Sequence, residues 1–125
     1  MIRTLICAAL AFALELWAAD LTGTWAGSFE ITGPNGERQA DRCHLELKQS
    51  GTSITGTAGP DKSVQWMIQN GKAEGTRITF EVRPPEGGRL VFDLRLSNHH
   101  LDGEARGENR GLTIKAKVHA TRMAE

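Results

Sequence analysis

The sequence predicts a single all-β domain, an antiparallel eight-stranded up-and-down β-barrel behind an amino-terminal signal peptide. Three observations carry this reading. Apolar and polar residues alternate with period two in eight short segments, as in strands with one buried face. Clusters of Gly, Pro, Asn, Asp and Ser separate those segments by only a few positions, so sequence neighbours pair as hairpins. After residue 19 no segment carries apolar residues at helical spacing over the length a helix needs.

Residues 1–19 read as the signal peptide and residues 20–125 as the barrel domain. Arg3 supplies a charged start, Leu5 to Leu14 an unbroken apolar run, and Ala18-Ala19 small residues at the cut. That run is about half the ~20 residues a membrane-spanning helix needs. The protein is therefore expected in the periplasm or outside the cell, and not as an integral membrane protein. Arg3 and Glu15 leave together, so the balance of Lys+Arg 15 against Asp+Glu 15 stays neutral. Neutrality removes the electrostatic argument for a nucleic-acid partner. Cys7 also leaves, so Cys43 is alone and no intramolecular disulfide can form. The fold must stand on its core, which is feasible at about 100 residues.

The segments follow in order. Trp25, Gly27, Phe29 and Ile31 share one face of the first, which Gly33-Pro34-Asn35-Gly36 ends. Cys43, Leu45 and Leu47 define the second, closed by Ser50-Gly51. Ile54, Gly56 and Ala58 define the third, closed by Gly59-Pro60-Asp61. Val64, Trp66 and Ile68 define the fourth, after which Asn70-Gly71 and Glu74-Gly75 bend the chain. Ile78, Phe80 and Val82 form the fifth, before Pro84-Pro85-Glu86-Gly87-Gly88. Leu90, Phe92, Leu94 and Leu96 form the sixth, Leu101, Gly103 and Ala105 the seventh, and Leu112, Ile114, Ala116 and Val118 the last. Such strands could form a sandwich or a closed barrel. Closure removes exposed edges, no long crossover of Greek-key type is evident, and eight strands enclose side chains or one small ligand. A weak echo, apolar-x-Gly-x-(Trp/Ala)-x-Gly, recurs at Leu21, Ile54 and Leu101, and places Gly where strands must coil sharply.

Gly23-Thr24-Trp25, opening the first strand, resembles the Gly-x-Trp signature of lipocalins, and Leu21 to Trp25 resembles the first strand of avidins. Both belong to the calycin group of antiparallel barrels that close over an interior and bind small molecules. The resemblance also implies a basic side chain, late in the chain, packed on that Trp. Arg122 fits, because it continues the inward parity of Ala116, Val118 and Ala120. Trp25 and Arg122 are thus the expected closure pair. The chain departs from the group in being shorter than a typical lipocalin, in lacking its disulfides and in having no Tyr. No avidin-type set of biotin-binding residues can be placed on it.

Candidates for chemistry are few. His99-His100-Leu101-Asp102 is the densest cluster of potential metal ligands, but adjacent histidines on a hairpin tip diverge, and it reads as an exposed polar turn. Cys43 and His44 point to opposite faces of a strand and cannot act as a pair. His119 faces outward and reads as solvated. Lys48, Lys115 and Lys117 read as surface charge. No paired carboxylates share an apolar face, and no helix follows a glycine-rich turn to cradle phosphate. No cofactor and no metal are expected. Phe29, Leu45, Trp66, Phe80, Phe92 and Leu94 point inward as bulk, against small inward residues at Gly27, Gly56, Ala58, Gly103, Ala105 and Ala116. That contrast predicts a cavity at one end, lined by those six large residues. The expected function is a non-enzymatic binding module for a small apolar or amphipathic ligand. The alternative is a protein-binding module such as a periplasmic protease inhibitor, acting through loops or the amino-terminal segment. An enzyme built on the histidine-rich turn comes third.

Overall fold

The computed structural model describes residues 21–33, 35–85, 87–109 and 111–123, without the side chains of Asn109 and Leu112. The signal-peptide reading of residues 1–19 lies outside the described residues.

Among the described residues nine strands follow one another: β1 Gly23–Thr32, β2 Arg38–Ser50, β3 Ser53–Asp61, β4 Val64–Met67, β5 Gln69–Glu74, β6 Arg77–Val82, β7 Arg89–Ser97, β8 His100–Asn109 and β9 Leu112–Arg122. The ladder runs β2-β1-β9-β8-β7-β6-β5-β3, and β3 returns to β2. All pairs are antiparallel, and apart from β1–β9, which closes the ring, and β3–β5, which passes over the short β4, they join chain neighbours. The result is a closed eight-stranded up-and-down barrel in which β4 and β5 together make one interrupted strand.

That interruption corrects the sequence reading. The sequence reading has Asn70-Gly71 bend the chain after the fourth segment. Instead the strand continues to Glu74, with Asn70 at φ 53° and the β5–β6 register shifted between Gln69 and Lys72. Asn tolerates the left-handed region, so the signal marks a bulge and not a turn. Among the described residues β4 pairs with β3 alone, through Ala58–Trp66 and Asp61–Val64, with a second register shift between them. The shift turns Val64, expected inside, outward to 41% exposure. β2 also starts earlier than its apolar pattern, at Arg38, because Arg38 to Asp41 pair along β1 while staying exposed.

Inside, the alternation holds. Trp25, Leu45, Ala58, Ile78, Phe80, Val82, Phe92, Leu94, Leu101 and Val118 are each at most 2% exposed. Phe80 stacks on Phe92 at 4.6 Å between centroids, and Phe29 tilts against Phe92 at 6.0 Å. Gly56 shows why glycine recurs in these strands: it holds φ 126°, and a Cβ there would strike the Glu46 carbonyl of the neighbouring strand.

Candidate functional site

The two ends of the barrel are built differently. One end is closed by Leu21 and Thr22, which cross beneath Trp25. Leu21 is 2% exposed and donates its N–H to Gln49 Oε1 (2.9 Å). Its carbonyl accepts the Trp25 indole N–H (3.0 Å). Thr22 Oγ1 accepts the Gln49 N–H (3.0 Å), and the Thr22 carbonyl accepts Arg122 Nη1 (2.9 Å). The Arg122 guanidinium lies 4.6 Å over the Trp25 ring, the contact expected for the closure pair. Two backbone bonds complete the seal, Arg122 N–H to His99 O and Met123 N–H to Thr24 O. The buried indole N–H thus finds a partner inside, and the bonds through Thr22 and Arg122 tie the exposed edge of the seal.

The opposite end has no comparable plug among the described residues. Phe29, Ile31, Trp66 and Leu90 pack against the core yet stay half-buried there. Of the six large residues expected to line a cavity, the structure divides two from four. Leu45, Phe80, Phe92 and Leu94 are buried against one another as the packed middle of the barrel. Phe29 and Trp66 sit above that layer, at the mouth.

The barrel walls rise unevenly around this mouth. The β1–β9 ladder ends at Thr32–Lys115, while the β8–β9 hairpin runs on to Asn109–Leu112. The β1–β2 hairpin rises beside it. A cleft of about 770 Å³ lies there, with Ile31 and Ala116 among its lining and Arg38, Thr113 and Lys115 on its flanks. A second concavity of about 740 Å³ lies where β2 and β3 part, beside Arg42, Pro60 and Ser63.

Charge chemistry elsewhere is modest. Cys43 is 2% exposed, and burial pushes its thiol up to about 12, which leaves it protonated and inert. His119 is paired, which its outward parity did not reveal: Asp102 Oδ1 lies 2.6 Å from its Nδ1 across the β8–β9 ladder. The rest of the histidine-rich turn stays apart, with His99 and His100 exposed and Leu101 buried. Among the described residues no three His, Cys, Asp or Glu side chains gather to hold a metal ion. Nor is any helix among them long and apolar enough to cross a membrane. Compared with known protein families, curated proteins and solved structures, the chain matches none.

Proposed function

We propose that this protein is a secreted, non-enzymatic binding module that takes a small apolar or amphipathic molecule at the open end of its barrel. One observation carries the reading: Phe29, Ile31, Trp66 and Leu90 stand half-buried at one mouth, while the other end is sealed. Half-buried aromatic and aliphatic side chains on a rigid barrel rim gain by shedding water onto an apolar ligand, at ~25 cal/mol per Å² before association costs. The packed Phe80–Phe92 layer puts the ligand above the middle of the barrel and not deep within it. The Trp25–Arg122 contact supports kinship with calycins, as does the closed antiparallel barrel. In this reading the site residues are Phe29 and Trp66 with Ile31 and Leu90, while Leu45, Phe80, Phe92 and Leu94 form its floor.

Titration with fatty acids and aromatic probes, followed by tryptophan fluorescence, tests this. Binding shifts the emission, and Trp66→Phe removes most of the response. An emission unchanged by every probe rejects the reading.

A second reading, a protein-binding module of the inhibitor type, has its own support. Met67 (73%) and Val64 (41%) are exposed on β4, a strand that pairs on one side only among the described residues. Free strand edges bearing apolar side chains are natural docking sites for extended peptides.

A further inference from the structure

Two stretches of the barrel wall pair on one side only among the described residues, and their sequences differ. Residues 38–43 of β2 pair with β1, but the β2–β3 ladder reaches no further than His44–Gly59. That edge carries the exposed charges Arg38, Asp41 and Arg42, which guard it as charges commonly guard free edges. β4 pairs with β3 alone. It has no such guard, because residues 63–71 hold no Asp, Glu, Lys, Arg or His. Large apolar side chains are exposed among the described residues at Val64 (41%), Met67 (73%) and Met123 (47%), and the first two are on this strand.

Backbone direction decides what this edge offers. The Ile68 N–H donates to Gly56 O on β3 (2.9 Å). Amides alternate sides along a strand, so those of Gln65 and Met67 point away from β3, where no strand lies against β4 among the described residues. The sequence keeps that side open. Continuing the Gln69–Glu81 register past the end of β6 would bring Pro84 and Pro85 alongside β4, and proline has no N–H to give. The strand is nonetheless fixed in place, since Gln65 Nε2 donates to His44 O (3.0 Å) and Asp61 O (2.8 Å). A fixed edge loses little freedom on pairing. We propose that β4 pairs with the β4 of a second copy, antiparallel across a twofold axis at Trp66. Gln65 of each copy then exchanges N–H···O bonds with Met67 of the other, and Val64 faces Ile68. Across a twofold axis a surface meets itself, so a charge near the axis would face its own copy. The uncharged residues 63–71 avoid this, and the flanking Lys62 falls opposite Asn70. The proposal rests on the free β4 edge of the second reading, with a second copy in place of a foreign peptide, and is independent of ligand binding at the mouth.

So short a strand makes an interface at the small end of the range, so dimerisation is expected with a Kd on the order of 10–100 µM. Sedimentation of the purified protein at concentrations spanning that range should show monomer passing to dimer and no further. Met67→Lys sets a cation beside the axis in each copy and should weaken the dimer at least about tenfold. The residue is exposed, so the variant keeps its fold. Met123→Lys adds the same charge at the exposed residue just beyond β9 and should leave the dimer unchanged. In hydrogen exchange the Gln65 and Met67 amides should gain protection only at concentrations where the dimer forms. A protein that stays monomeric throughout overturns the proposal. So does a dimer that Met123→Lys disrupts and Met67→Lys does not, or one in which those two amides still exchange freely. Protection of the two amides by an added Thr-Val-repeat peptide, without self-association, overturns the second copy and gives the edge to a partner protein, as in the second reading. Tryptophan titration with apolar probes decides the ligand reading separately in every case.

Discussion

The sealed end and the open end of this barrel use the same strands and the same alternation, yet they differ in how polar atoms and apolar area are settled. At the sealed end, Trp25, Leu21, Gln49, Thr22 and Arg122 satisfy one another through hydrogen bonds and a cation–π contact. At the open end, Phe29, Ile31, Trp66 and Leu90 are half-buried. On the proposed reading, stability belongs to one end and binding to the other. If that division is right, matched substitutions at the two ends must separate the two properties.

The largest expected effect lies at the seal. Trp25→Ala removes a fully buried indole, its bond to the Leu21 carbonyl and the platform under Arg122. Large-to-small changes of this kind cost about 3–5 kcal/mol. Domains of this size hold only about 5–15 kcal/mol in total. Urea unfolding should show the loss. A decrease below about 1.5 kcal/mol would mean that the seal carries no special share of stability.

The middle layer responds to alkali. The folded protein holds the Cys43 thiol near 12, against about 9.0 for an ordinary thiol, because burial penalises the thiolate. Between these values the unfolded chain releases a proton that the folded one keeps. Stability therefore falls as pH rises above 9, by up to ~1.4 kcal/mol per pH unit, and is unaffected by this group at neutral pH. Unfolding free energies of wild type and Cys43→Ala at several pH values between 7 and 11 check it: their difference should narrow or reverse only above pH 9. At neutral pH a thiol reagent should label Cys43 only as the barrel unfolds, and rapid labelling of the folded protein would mean that the β2 register is wrong by one residue.

Arg122→Met comes next at the seal. The variant keeps an unbranched apolar stem over the indole but loses the charge and the bond to Thr22 O, at about 1–2 kcal/mol. Thermal unfolding measures it. Unchanged stability would reduce the Trp25–Arg122 contact to mere proximity, and with it the support for kinship with calycins.

Most of the architecture was readable because period-two alternation and short turns jointly fix both the strands and the face each side chain takes. The places that escaped share one cause, a local backbone irregularity that periodicity cannot register. The bulge at Asn70 carried β5 onward, and the shift between Ala58 and Asp61 rotated Val64 outward. The site was harder to read than the fold. Parity places Phe29, Leu45, Trp66, Phe80, Phe92 and Leu94 inside alike, but depth along the barrel axis divides floor from mouth. Depth depends on strand tilt and register, which no single segment encodes. The same limit hid Asp102–His119, since the two need cross-strand register to become neighbours. Their pairing could have been sought, because Asn109-Arg110-Gly111 already marked the hairpin that sets it.

The smallest effect on stability should come from Trp66→Ala, and it bears most directly on the comparison. Trp66 and Trp25 are the same residue type, both with inward parity, at opposite ends of one core. Trp66 pairs with Ala58 on β3 and packs against the core, but it is only half-buried. Removing a half-buried ring forfeits roughly half the burial term, about 1 kcal/mol, and leaves a notch that water can enter rather than a closed cavity. The unfolding midpoint should therefore move far less than in Trp25→Ala. Affinity for an apolar probe should show the reverse order: a large loss on Trp66→Ala, and little change in Arg122→Met, which alters the far end. If Trp66→Ala destabilises the barrel as much as Trp25→Ala while probe binding survives, the mouth is simply a second part of the core, and the half-buried residues there await no ligand.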